Sequence, residues 1–250
     1  MMPALRYEWR RLISIRSTWI ISALYLALVG VVGLIPVFLN STETPVQSWE
    51  GLFSTPGNVL NAMILSVIAA QTFGHEYRYG VIRLTLSEFP VRENILLAKT
   101  LILSTYVIAM TFLAWAVLGV GALIAGSEKV NSDASGYTIS SSDNSTQMWQ
   151  VLVFGIGYCI FAMSITMLSR NLALGVTLPL LLATILEPLI GGLLGMISES
   201  VEPVRKYLPF SSAQAWVVNA DDWPQAGLVF AAWVVGIYFL ATFFFIKRDA

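Results

Sequence analysis

"FGHEYRYGVIRLTLSEFPVRENILLAKT", residues 73–100, is a charged insert between two long apolar runs. The chain of 250 residues is 56% hydrophobic and only 12% charged, with a mean hydropathy of +0.73. Soluble domains carry about 25% charged residues. A cluster of His75, Glu76, Arg78, Arg83, Glu88, Arg92 and Glu93 therefore marks where the chain leaves an apolar phase. On either side, apolar stretches reach the roughly 18–20 residues needed to cross a hydrocarbon layer of about 30 Å as a helix. They lack the two-residue alternation of barrel strands. The fold class is an all-α integral membrane protein.

Working outward from the insert, six transmembrane helices are predicted at about 18–39, 57–74, 96–125, 148–169, 172–197 and 226–246, forming a single transmembrane domain over 1–250. The second is the least apolar, diluted by Asn58, Asn61 and Gln71; the fifth is interrupted by Pro179, Pro188, Gly191, Gly192 and Gly195. Lys and Arg concentrate in cytoplasmic loops. With both termini cytoplasmic, eleven of the 14 basic residues fall inside, leaving Lys129, Arg205 and Lys206 outside. Equal-sided termini require an even number of spans. Trp9, Trp19, Trp49, Trp149, Trp216 and Trp223 fall near span ends, as interfacial aromatics do. The polar stretch 127–147 reads as an outer loop.

Three stretches stand out. The N-terminal "PALRYEWRRLISIRS" places Leu5, Trp9, Leu12 and Ile13 near one helical face with Arg6 and Arg10 beside them. It reads as a helix lying in the membrane interface with arginines toward anionic headgroups, or as a plain topological anchor. Between spans 2 and 3, Tyr77, Val81 and Leu84 form one stripe and Ile82, Leu86 and Phe89 another. That pattern suits a short amphipathic helix ended by Pro90, serving either as a docking surface or as a loop resting on the membrane. Glu187 is costly in hydrocarbon, about 2.5–3.5 kcal/mol on insertion scales. It reads as a gating element with Pro188, or as an acid at the outer boundary of a span ending near Leu186.

The composition also excludes chemistry. Cys159 is the only cysteine and His75 the only histidine, so neither an internal disulfide nor a multi-histidine or cysteine metal site is possible within the chain. "GALIAGSEK" (121–129) lacks the Lys-Ser/Thr pair of a phosphate loop. The charges of 73–100 are mixed in sign, so no nucleic-acid partner is expected. The chain is not expected to be an enzyme, nor to bind a cofactor itself.

"LRYEWRRLISIRSTWI", the 73–100 stretch and "YLPFSSAQAW" (207–216) together resemble the permease subunits of ABC-2 type ABC transporters, of the bacterial efflux kind with a separately encoded ATPase. The most specific part is Glu76-Tyr-Arg78-Tyr-Gly80-Val-Ile-Arg83, then Pro90-Val-Arg92 and Lys99; Val81 stands where members often carry threonine. The resemblance implies that the 74–92 loop holds a cytoplasmic coupling helix with Glu76, Arg78, Gly80, Arg83 and Phe89 at its ATPase contact. It also implies an interfacial N-terminal helix with Arg6, Trp9, Arg10 and Arg11. Between spans 5 and 6 it implies a re-entrant outer segment with Glu187, Pro188, Gly191 and Gly192. The partners implied are two ABC ATPase subunits carrying ATP and Mg, a second copy of the permease making a homodimer, and the lipid bilayer of a bacterial cytoplasmic membrane. The function implied is export of an amphipathic or hydrophobic substrate. An ion-driven secondary carrier and a non-transporting scaffold for an ATPase remain the alternatives.

Overall fold

The structure is a computed structural model that describes residues 1–39, 47–48, 52, 54–57, 59–89, 91–125, 130–131, 142–197, 202–218 and 223–247. Part of the predicted outer loop, Pro90, Trp49 and the side chain of Trp223 lie outside the described residues.

The helices are α1 (Met2–Ser14), α2 (Arg16–Leu39), α3 (Val59–Arg78), α4 (Ile82–Glu88), α5 (Arg92–Ala125), α6 (Ser142–Ser169), α7 (Leu172–Leu181), α8 (Glu187–Ile197), α9 (Pro209–Val218) and α10 (Trp223–Lys247). Single 3₁₀ stretches cover Thr55–Gly57 and Glu202–Tyr207. The described extended segments are β1 (Gln47–Ser48) and β2 (Val130–Asn131), which pair in parallel. Among the described residues, five helical segments are long and apolar enough to cross a membrane: Arg16–Leu39, Arg92–Ala125, Thr146–Ser169, Leu172–Leu194 and Gln225–Lys247.

The predicted second span corresponds to α3, a 20-residue helix less apolar than those five. Its burial accounts for its composition. α3 packs along α6 and also meets α2 and α7, so much of its surface faces protein. Hydropathy is demanded of surface that meets lipid, whereas polar side chains inside a bundle need only find partners. Asn61 donates to the Thr55 carbonyl at 2.6 Å, Ser66 and Thr72 donate to carbonyls three residues back, and Gln71 accepts from Ser17 at 3.0 Å. α6 is the other central helix, 67% buried along its apolar window against 28% for α2 and 22% for α10. The outer helices turn apolar side chains such as Trp19, Phe112, Leu193 and Phe239 outward.

α2 and α5 approach closely through reciprocal glycines. A Cβ on Gly33 would strike Leu118, and one on Gly121 would strike Leu34, so each glycine receives a leucine of the other helix. Such small-residue contacts let membrane helices gain dispersion energy without a hydrophobic driving force. At one end of the bundle α1 packs on the beginning of α5, and Arg92 donates to the Phe245 and Ile246 carbonyls at the end of α10. The described beginning and end of the chain thus meet the same end of α5.

The fifth predicted span, 172–197, is helical throughout, and only its expected break differs. The stop near Leu186 and the turn back within 187–197 do not form, and the chain stays helical from Leu172 to Ile197. The irregularity appears instead as π-helical turns at Leu182–Leu186, just after Pro179, with the Glu187 amide donating to the Leu182 carbonyl five residues back. Pro179 has no amide to donate, and the wider turns accommodate an added residue in the ladder. One added residue rotates the remainder of the helix by about 100° around its axis. Glu187 thereby points inward while Leu186, Leu189 and Ile190 stay exposed. Trp216 also departs from the predicted interfacial belt: it is buried, against Gly227 of α10.

Candidate functional site

The charged stretch resolves into an elbow. α3 continues to Arg78, four residues past its expected end, and Gly80 closes it with φ +67°. The Tyr79 and Gly80 amides return to the His75 and Tyr77 carbonyls. This is the left-handed helix termination that glycine adopts without a Cβ penalty. α4 then makes two turns, and α5 starts at Arg92.

α4 has two unlike faces. Ile82 and Thr85 are buried, Leu86 and Phe89 half-buried, and the Phe89 ring meets Tyr7 of α1 at 5.7 Å. The other face exposes Leu84 at 70% beside Val81, Arg83, Ser87 and Glu88, and continues onto Arg78 and Tyr79, 68% exposed. Of the two predicted stripes, the Ile82–Leu86–Phe89 stripe faces the protein. Val81 and Leu84 face outward, while Tyr77, the third member of their stripe, packs inward against Phe73 and under the Arg170 guanidinium.

Glu76 belongs to α3 rather than to α4, and its carboxylate points inward. Oε1 accepts from Lys99 Nζ of α5 at 2.7 Å and from the Arg11 guanidinium of α1. Lys99 also reaches Glu8 Oε1 at 2.8 Å and the Thr72 carbonyl at 3.1 Å, and stands 4.9 Å from the centre of the Phe73 ring. Arg11 completes the ring on Glu8 Oε2 at 3.3 Å. Two acids and two bases on three helices neutralise one another, with Glu8, Glu76 and Lys99 almost fully buried. Taking such charges out of water is costly, and close pairing with supplementary hydrogen bonds offsets that cost. Helix α1 is therefore keyed to the stem of the elbow by charge as well as by packing.

Of the residues marked in the sequence, Arg78, Gly80, Arg83 and Phe89 lie together at the elbow, and Glu76 lies behind it. Arg6, Trp9 and Arg10 are exposed on α1, whereas Arg11 turns into the charge cluster. Glu8 and Lys99 were not expected to pair. The available signal was a lysine close to an apolar run, which demands a carboxylate, and a single acid among the arginines of α1.

Glu187 lies elsewhere. It is buried, and its two oxygens accept from the Phe210 amide at 2.9 Å and the Ser211 amide at 2.5 Å, the first amides of α9. Free amides and the positive end of the helix macrodipole favour an anion there. Neither the outer-boundary reading nor an open cavity describes Glu187, whose carboxylate caps a helix 23 residues away. Pro188 and Gly192 are exposed and Gly191 is buried. Among the described residues no group of His, Cys, Asp or Glu is disposed to hold a metal.

A sequence profile described as "ABC-2 family transporter protein" matches residues 5–190, which include most of α1, the charge cluster, the elbow and Glu187. No curated protein matches the chain.

Proposed function

The chain belongs to the ABC-2 family of transporter proteins, and from that premise we propose that it is the permease subunit of an ATP-driven exporter powered by a separate ATPase. The observation that carries this reading is the outward face formed by Tyr79 and Val81 in the turn and by Arg83 and Leu84 on α4, which α1 clamps from behind. An apolar patch rimmed by charge is the surface a protein partner covers. ATP and Mg reside on that partner. Closure of two ATPase subunits displaces α4, and the buried cluster of Glu8, Arg11, Glu76 and Lys99 makes α1, α3 and α5 move with it.

The even number of crossings is supported by the meeting of both described chain ends at the start of α5, and α3 supplies the sixth span beside the five apolar ones. The elbow is then cytoplasmic, in a bacterial cytoplasmic membrane. The α8–α9 region with Glu187, Pro188, Gly191 and Gly192 forms the outer gate, where α9 is the short element that re-enters the bundle. The apolar outer faces of α2, α7 and α10 serve lipid and a second copy. An ion-driven carrier is less well supported, because acids in a coupling path need access to the ion. Glu8, Glu76 and Glu187 are instead buried and engaged by cations or amides.

The test is ATP hydrolysis and transport in sealed inverted vesicles containing the permease with its co-purified partner. Leu84→Asp should abolish permease-stimulated hydrolysis while leaving the amount of inserted permease unchanged. Transport that persists without ATP and collapses with the ion gradient would replace this reading with the carrier.

A further inference from the structure

An open groove runs between α1 and α4, large enough for a phospholipid headgroup, with Arg6, Arg10, Tyr7, Ser14, Glu88 and Phe89 among the residues along it. Arg6 and Arg10 are four residues apart on α1, hence neighbours on one helical face. Both are exposed, and neither has an ion-pair or hydrogen-bond partner among the described residues. This separates them from Arg11, whose charge is taken up by Glu8 and Glu76. Glu88 is the acid on the groove, so the unpaired arginines outnumber it. Trp9 and Ile13 are exposed on the same helix, and Trp19 donates its indole N–H to the Ile13 carbonyl at 2.8 Å where α2 begins. Exposed aromatic and aliphatic side chains beside arginines at the start of a span place this surface at headgroup depth.

We propose that the groove between α1 and α4 is a binding site for one anionic phospholipid, its phosphate held between Arg6 and Arg10 and its glycerol and upper acyl region lying along Tyr7 and Phe89. Guanidinium is suited to this because its planar donors match phosphate oxygens. Phosphatidylglycerol fits the charge, and a zwitterionic lipid brings an ammonium into a site already rich in cations. Because the Tyr7 and Phe89 rings touch across the groove, the lipid fastens α1 to α4 on their open side. The site rests on the cytoplasmic placement of the elbow given above.

The experiment is native mass spectrometry of the full-length protein titrated with phosphatidylglycerol or phosphatidylcholine. One saturable phosphatidylglycerol adduct is expected. Arg6→Gln with Arg10→Gln should weaken it about 30-fold, at about 5-fold for each basic residue near an anionic surface. Arg6→Lys with Arg10→Lys should restore most of the affinity, and Glu88→Gln should tighten binding. Arg16→Gln, which removes an exposed arginine outside the groove, should leave the adduct unchanged. Equal weakening by Arg16→Gln, equal binding of phosphatidylcholine, or full competition by glycerol phosphate would overturn the lipid site. An epitope placed before Met1 and detected in intact cells would overturn the underlying topology; lost lipid selectivity with a hidden epitope would overturn the lipid proposal alone.

Discussion

Lys99 has two carboxylates, a carbonyl and an aromatic face around one ammonium, and its side chain is buried. Removing one partner of a buried ion pair costs about 3–5 kcal/mol, because the remaining charge is left uncompensated. Lys99→Met should therefore destabilise the folded permease by about that amount, read as a lowered midpoint of unfolding in detergent. Adding Glu76→Gln should cost less than the sum of the separate changes by about 0.5–3 kcal/mol. Strict additivity would show that the cluster does not act as a unit. Gly80 is a different case, since a Cβ there meets nothing within 4 Å and the obstacle is φ +67° alone. Gly80→Ala should cost about 1–2 kcal/mol through the backbone. Gly80→Val should reduce ATP-coupled activity while sparing insertion; undiminished activity would remove the elbow geometry from the mechanism. The sequence made the charges at 76–99 conspicuous, yet it did not reveal the pairing. Glu8 lies 91 positions from Lys99, and only the docking of α1 brings them together.

Among elements, the α2–α5 contact and the Glu187 cap make separable predictions. Gly121→Leu forces a side chain into the space of Leu34 and should destabilise by about 1–3 kcal/mol, the usual cost of overpacking. Gly236→Leu, where a Cβ finds open space, should cost little on the same thermal assay. Glu187→Gln keeps the volume but weakens charge-assisted bonds to two amides. It should cost about 1.5–3 kcal/mol and accelerate hydrogen exchange at Phe210 and Ser211. Unchanged exchange there would disprove the cap. Five apolar helices are legible from their composition, because lipid-facing surface has to be apolar. α3 is only partly legible, since its Asn61, Ser66 and Thr72 are admitted by burial against protein. The fifth helix misleads for a related reason. Glu187 followed by Pro188 resembles a stop, but the helix runs on through Pro188 after a π-helical passage, and a distant helix end takes up the acid.

For the whole molecule, the family is carried by 5–190, and within that region the elbow offers an outward face where apolar and charged side chains meet. Its position in the sequence was evident from charge alone, whereas which stripe faces out depended on the Tyr7–Phe89 contact with α1. The proposed division of labour is a permease that transmits motion and a partner that hydrolyses ATP, joined at α4. The most direct test is quantitative co-purification of a tagged permease from native membranes in mild detergent, comparing the unaltered chain with Leu84→Asp and with Leu189→Ala. Leu189 is also outward, on α8, far along the chain from the elbow. Expected is a stoichiometric ATP-binding subunit with the unaltered chain and with Leu189→Ala, and its loss with Leu84→Asp. An ATP-binding subunit retained by Leu84→Asp, or a transport-active permease that purifies without one, would contradict coupling through α4.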